Sequence, residues 1–301
     1  MNEDPQDLAT PSPAKVNARW GQERRLAFID FRLRWEGRIN RSDLTDFFGI
    51  SVPQASLDIS RYMEFAPQNL QYDRSARVYL ATPEFRPLHA GTQPERYLNE
   101  LLAESEGTLE PEASFIGWHP STAGVPRPGR TVAANTLVAL LKAMRQGTGL
   151  KVAYQSMSRP TPSSRTISPH AFAYDGFRWH VRAFCHSRED FRDFVLGRIL
   201  EVHGTEPVGV PASEDAAWNT ILTLVIAPNP NLSPGGQRAI ELDYGMNNGE
   251  FELKCRQALL FYTLKRLGLN HRSEVQPEVQ QIVLKNQADL APYLAPTSES
   301  N

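Results

Sequence analysis

Residues 151–199 concentrate side chains suited to holding an anion. Arg178, His180 and Arg182 fall on alternate positions of one run, and alternation along a β-strand brings such residues to one face. Arg182 and Arg198 supply forked guanidiniums, His170 and His180 imidazoles, and Tyr154 and Ser156 hydroxyls. That donor set matches phosphate, whose oxygens accept paired N–H groups from arginine and single hydrogen bonds from the others. Arg188 lies in the same stretch and completes the candidate ligand-binding residues. Eight Lys and Arg stand against four Asp and Glu over 151–200, in a chain whose net charge is −2. The plainer reading of the pattern is an ordinary solvated face of a sheet.

Strands must position these groups. Runs 151–156, 166–174 and 177–185 are rich in β-branched and aromatic residues, and Asp175-Gly176 between the last two is a two-residue hairpin signal. A fourth run, 194–199, would close the sheet into a small barrel. Trp179, Val181, Ala183 and Cys185 then make the core face, and Arg178, His180, Arg182 and Phe184 the other. If the pleat holds, Tyr154, Ser156, His170 and Arg198 join the polar row.

The residues Trp179-His180-Val181, then Arg182-Ala183-Phe184-Cys185, then Phe194-Val195-Leu196-Gly197-Arg198-Ile199 resemble the WYL domain, an Sm/SH3-like barrel that senses ligands in bacterial transcription regulators. His180 and Val181 replace the name-giving Tyr and Leu, which leaves the ligand's identity open. With its flanking segments, from about 16 to about 294, the chain is most similar to WYL repressors of the BrxR and CapW type, which control anti-phage defence islands. The resemblance implies a ligand-sensing barrel and a C-terminal extension that helps to build a dimer.

A chain of 301 residues is long enough for two or three cores. No apolar run approaches the ~18 residues of a membrane span, and residues 1–13 lack the basic start and apolar centre of a signal peptide. A cytoplasmic protein without a membrane partner is expected. Cys185 and Cys255 form no CxxC pair, so neither a disulfide nor a metal site is expected. Charge is unevenly spread: residues 15–41 hold eight basic and three acidic residues, 95–112 hold one and six, and 201–301 hold seven and twelve. Local sign governs association, so the basic N-terminal end suits DNA.

In that end, Leu26, Ile29 and Leu33 recur at helical spacing over 22–35, with Arg24, Arg25 and Arg32 on the remaining surface. Gly37 ends this helix, and Ser42 is expected to cap a short one through Phe48. Gly49-Ile50 turns into Ser51, which with Gln54 reads as a capping box, and Pro53 sits in the first turn. The next helix, to about Phe65, is expected to face inward with Val52, Ala55, Ile59 and Met63. Helix, short turn, helix is the helix-turn-helix pattern, although a plain three-helix unit would show similar caps and spacing. Gln54, Ser56, Leu57 and Arg61 would face DNA, Arg74-Ser75-Ala76 would tip a wing between strands at 70–72 and 78–80, and Arg41, Ser51 and Arg77 complete the candidate DNA-binding residues.

Residues 97–103 read as a helix, 118–130 as a Pro- and Gly-rich linker, and 133–145 as a helix with Leu137, Leu140, Leu141 and Met144 in register. Beyond Trp218, strands at 221–227 and 250–256 alternate with helices at 233–240 and 257–267, the latter aligning Leu260, Leu264 and Leu267. About thirteen residues at the start and six at the end read as disordered. The expected fold is α+β: a winged helix-turn-helix domain (14–90), a helical connector (91–130), the WYL barrel with its leading helix (131–205) and an α+β dimerisation extension (215–295).

No Walker loop, G-x-S-x-G, H-E-x-x-H or dinucleotide fingerprint is present. His170, His180 and His186 admit a nuclease reading. Against it, the barrel's acids, Asp175, Glu189, Asp190 and Asp193, read as lying at a turn and on a helix-like connector rather than clustered for Mg²⁺. A structural adaptor would leave the arginine face idle. The reading is therefore a homodimeric, non-enzymatic regulator without cofactor or metal, binding double-stranded operator DNA. It would repress, or alternatively activate, and would sense a nucleotide or oligonucleotide effector through the barrel.

Overall fold

The computed structural model describes residues 13–89, 93–126, 128–207, 209–269 and 276–294, so the expectation of disordered ends falls almost wholly outside the described residues. Two compact units divide the chain at residues 126 and 127. No helix among the described residues is long and apolar enough to cross a membrane.

The first unit runs α1 (Pro13–Glu36), β1 (Arg38–Ile39), α2 (Arg41–Phe48), α3 (Val52–Phe65), β2 (Leu70–Asp73), β3 (Val78–Ala81) and α4 (Pro94–Ser105). β1, β3 and β2 form one antiparallel sheet in that order. Leu26, Ile29 and Leu33 are buried with Leu44, Ala55, Ile59 and Tyr62, so the 3.6-residue stripe of α1 closes over α2 and α3. Asn40, not Ser42, caps α2: its side chain accepts from the Asp43 N–H, and the Asp43 carboxylate accepts from the Asn40 N–H. Ser51 caps α3 by accepting from the Gln54 N–H at 3.3 Å. The reciprocal half of the expected box is not made, because the Gln54 side chain turns to Asp58. Val52 is 57% exposed and does not face inward; it stands in the first turn, before the inward row of Ala55, Ile59 and Tyr62 begins. Beneath α3, the buried Asp30 accepts from the Tyr62 hydroxyl at 2.5 Å and from the backbone N–H groups of Leu88 and His89. Burial, helped by Asp30, raises the Tyr62 hydroxyl far above its ordinary pKa.

The second unit begins with α5 (Ala134–Gln146), followed by β4 (Gly149–Tyr154), β5 (Ser163–Tyr174), β6 (Trp179–Cys185), β7 (Asp190–Val195) and β8 (Ile199–Glu206). The sheet order is β7-β6-β5-β4-β8. β7 and β8 are thus opposite edges, yet only the 3₁₀ turn Leu196–Arg198 separates them. So short a link draws the two edges together and curls the sheet. The expected closing strand at 194–199 is therefore two strand ends and a corner. The β5–β6 loop is also longer than the two residues expected: Tyr174 pairs with Trp179, and Asp175 accepts from the Phe177 and Arg178 N–H groups at 2.8 Å each. On α5, Thr136, Leu140 and Ala143 face the sheet, whereas Leu137 and Leu141 are exposed, so only part of the leucine stripe is core.

Beyond the sheet lie α6 (Ala216–Asn219), β9 (Ile221–Pro228), α7 (Pro234–Asp243), β10 (Phe251–Arg256), α8 (Leu260–Arg266), β11 (Ile282–Leu284) and α9 (Gln287–Leu290). The expected helix at 257–267 opens as a 3₁₀ turn, Gln257–Leu259. β11 is an addition to the expected strands; it pairs with the end of β9 and makes the order β10-β9-β11. Leu222, Leu224, Ile226, Ile240, Leu260 and Leu264 fill this core.

Candidate functional site

The alternation of β6 holds from Val181 onward, whereas Trp179, expected on the core face, is 51% exposed at the start of the strand, where it packs against Tyr174. Val181, Ala183 and Cys185 are buried with Leu140, Val152 and Phe194, and Arg182 lies directly across from Asp193 of β7 on the opposite face. A bulge in β5 pairs Pro169 with Ala183 and Ala171 with Arg182, leaving His170 as the extra residue. Such a bulge re-aims a side chain; here His170 and Arg182 reach one carboxylate.

That carboxylate belongs to Asp215, in the segment leading out of the sheet. Arg182 donates to it twice, Nε to Oδ2 at 2.7 Å and Nη2 to Oδ1 at 3.0 Å. His170 Nε2 lies 2.9 Å from the same Oδ2. Asp215 also caps α6, accepting from the Trp218 N–H at 3.0 Å. Arg182 Nη1 reaches Asp193 Oδ1 at 3.3 Å, and the other Asp193 oxygen accepts from Tyr262 of α8 at 3.2 Å. His180 Nε2 sits 3.0 Å from Asp175 Oδ2. Trp218 packs edge-on against His170, and the Arg256 guanidinium lies over its indole.

The polar face is therefore covered rather than solvated, against the plainer reading of the pattern. Arg182 is 7% exposed and His180 2%. The reason is charge: the buried Arg182 guanidinium needs carboxylates, which Asp193 and Asp215 supply, while Asp175 pairs with His180. Asp190 and Asp193 belong to strand β7, not to a helix-like connector. Burial pushes the Asp193 carboxyl up and the His170 imidazole down. Burial would also raise Asp215, but the Arg182 fork outweighs it and holds this carboxyl below the usual range. Asp175 likewise overcomes its burial, through His180 and the two backbone N–H groups, and is held down to about 2.

The other expected ligand residues are dispersed. Tyr154 is in the apolar core, edge-on to Phe194, with its hydroxyl accepting from the Val195 N–H; it is not on the polar face. It shares the parity of the buried Leu150 and Val152, a signal already present in the sequence. Ser156 is buried, 3.4 Å from the Ser158 hydroxyl. Arg188 is exposed in the β6–β7 turn and Arg198 is half-buried in the 3₁₀ corner.

In the first unit, α2 and α3 with the β2–β3 hairpin form a winged helix-turn-helix. Arg24, Arg41, Ser51, Arg61, Arg74 and Arg77 are exposed. The wing tip is shaped by Asp73, whose carboxylate accepts from the Ser75 and Ala76 N–H groups, and by Arg77 in the left-handed region at φ 57°. The Ser56 hydroxyl turns back to the Val52 carbonyl. Arg25 and Gln54 are committed inside the unit: Arg25 Nε lies 2.6 Å from Oδ2 of the fully buried Asp58, and Gln54 Nε2 3.2 Å from both its oxygens. They fix α3 on α1. The acids Asp58 and Asp215 escape sequence reasoning because their partners lie 33 residues away in the chain, whereas Asp193 is noticed in the sequence but reads as part of a connector instead of a strand.

Comparison with known proteins matches three segments of the chain. Residues 21–103 match the BrxR transcriptional regulator winged helix-turn-helix domain, 135–203 the WYL domain and 221–290 the BrxR transcriptional regulator C-terminal dimerization domain. These are regulator domains rather than enzymatic ones. Among curated relatives, a DNA-binding transcriptional repressor CapW of Escherichia coli is 48% identical over 94% of this chain and 95% of its own. Proteins of the same description from Pseudomonas aeruginosa and Stenotrophomonas maltophilia are 47% identical over 95% of this chain and 96% of theirs, and 46% identical over 94% and 95%.

Proposed function

The chain belongs to the CapW family of DNA-binding transcriptional repressors, and from that premise we propose that it is a cytoplasmic homodimeric repressor of an anti-phage defence operon. It binds an inverted-repeat operator and releases it when the WYL sheet senses a nucleotide or short nucleic acid. The observation that carries the DNA half is the exposure of Arg61 and Leu57 on α3 together with Arg74 and Arg77 on the wing: a guanidinium and an apolar side chain for base edges, and two cations for phosphates. Arg24 and Arg41 extend this basic face as phosphate contacts, and Ser51, at the start of α3, is placed to do the same; Arg25, Gln54 and Ser56 hold the reading helix in shape. One recognition helix reads few base pairs, so two copies on a repeat supply specificity. Support for the dimer comes from the matched dimerisation domain at 221–290.

Support for the sensor half comes from Arg182, His170 and His180, gathered on one face of β5 and β6. The defence role rests on the likeness to BrxR- and CapW-type regulators. A gel shift with the protein's own promoter region against random duplex tests the proposal. Preference for the promoter, with affinity falling steeply as salt rises, is expected; equal binding of both duplexes at physiological salt overturns it.

A further inference from the structure

The Arg182–Asp215 pair has the geometry of a ligand complex made within one chain. Two parallel N–H···O bonds, at 2.7 and 3.0 Å, are what a guanidinium offers to two oxygens of a phosphate. A third donor position is prepared by His170 Nε2, 2.9 Å from the same oxygen. The opposite nitrogens of His170 and His180, both Nδ1, are buried with no hydrogen-bond partner among the described residues, on side chains only 5% and 3% exposed. Buried polar atoms of this kind are normally paired.

Resting on the reading of the sheet as a sensor of phosphate-bearing ligands, we infer that Asp215 is the resident occupant of that phosphate site. The ligand's phosphate and the Asp215 carboxylate bind Arg182 and His170 in turn, never together, and the exchange unpins α6. Charge enforces the exclusion. Arg182 already faces two carboxylates, Asp193 and Asp215, and a phosphate added to both would set three anions against one guanidinium in a site largely closed to water. Asp215 is the one able to leave. Asp193 is a strand residue paired with Arg182 across β6 and β7 and tied to Tyr262, so it keeps the guanidinium aimed after Asp215 departs. Asp215 lies on the connecting segment, preceded by the exposed residues 211–214. At the start of that segment Gly209 packs closely on the Gly147 carbonyl oxygen, where a Cβ would collide.

Release has a defined route onward. Without Asp215, α6 loses its N-cap, and Trp218 loses its place between His170 and Arg256. The Arg256 guanidinium also donates to the Trp218 carbonyl at 2.5 Å, and the Thr220 carbonyl accepts from the Gln257 N–H at 2.9 Å. These bonds lead directly into β9 and β10, strands of the matched dimerisation domain. Occupancy of the sheet is thereby converted into a change at the base of the domain that pairs the two DNA readers.

The test uses full-length protein and three probes, inorganic pyrophosphate, thymidine monophosphate and a 5′-phosphorylated dithymidylate, titrated by calorimetry into wild type and Asp215→Asn. The amide keeps the shape of the cap but loses the charge, so the variant is expected to bind about tenfold tighter or better, the scale of one charge-assisted hydrogen bond no longer in competition. A gain with all three probes identifies a free phosphate group as the determinant, and a gain with the dinucleotide alone identifies nucleic acid. Because Asp215→Asn also weakens a buried pair, a second measurement uses wild type only: ¹⁹F-labelled tryptophan, with Trp218 assigned by Trp218→Phe, whose resonance is expected to shift on saturation. Wild-type binding with no gain in Asp215→Asn and an unmoved Trp218 resonance overturns the exchange while leaving the sensor reading intact. Failure of both proteins to bind any probe overturns both.

Discussion

Removing the Arg182 side chain by Arg182→Ala deletes the partner of two carboxylates at once. Asp215 would lose both bonds of its fork and Asp193 its 3.3 Å contact, leaving His170 and Tyr262 to face two buried anions. Breaking a buried ion pair from one side costs about 3–5 kcal/mol, because the remaining charge is stranded. For a unit the size of residues 127–301, that is a fall in Tm of roughly 6–20 °C. The pair can be isolated with a double-mutant cycle of Arg182→Ala and Asp215→Asn, whose coupling should be about 1.5–3 kcal/mol. Urea denaturation followed by circular dichroism supplies both numbers. A triple variant, Arg182→Met with Asp193→Asn and Asp215→Asn, should recover most of the loss, since neutral groups of similar size need no counter-charge. An Arg182→Ala protein that melts within about 2 °C of wild type would refute the reasoning.

In the first unit, Asp58→Ala strands Arg25, which is only 15% exposed, and should destabilise that unit by about 3 kcal/mol or more; an unchanged urea midpoint would contradict the tie between α1 and α3. Arg61→Ala should weaken operator binding and lower the slope of log affinity against log salt by about 1 if it neutralises a phosphate, or relax sequence preference with an unchanged slope if it reads a base. If neither the slope nor the sequence preference changes, Arg61 lies outside the interface. Asp175 is held down to about 2, against an ordinary 3.8, so it contributes stability above the ordinary value that is lost as pH falls through that window. Urea midpoints in acid should therefore fall less steeply for Asp175→Asn than for wild type, and identical acid limbs would contradict the His180 pairing. In solution without DNA, light scattering at micromolar concentration should report twice the mass of one chain; a monomer would count against dimerisation.

Much of the architecture is legible in the sequence because it is local. Helix spacing in α1, the Ser51 cap and the alternation of β6 from Val181 onward are written within a few residues, and they lead to the winged helix and the barrel; Trp179, read as core by the same alternation, is exposed. Features that depend on distant partners are hidden. Arg182 reads as an open cation because Asp215 lies 33 residues further on, and Arg25 reads as a DNA contact because Asp58 lies 33 residues away in another helix. The corner at 196–198 is hidden because apolar residues on either side of it, Phe194 and Ile199, are both core although they belong to opposite edges of the sheet. Tyr154 misleads for a different reason: its hydroxyl suggests a polar face against its parity, yet a tyrosine can bury its ring while giving its hydroxyl one partner.

The central claim is that two copies of the α3 and wing surface read one inverted repeat, and fluorescence anisotropy on labelled duplexes tests it most directly. A duplex with the full repeat from the protein's own promoter should saturate at two chains per duplex, and halving the site should weaken binding by at least about tenfold, as loss of one of two linked contacts requires. Equal affinity for the full and half sites, or saturation at one chain per full repeat, would contradict the account.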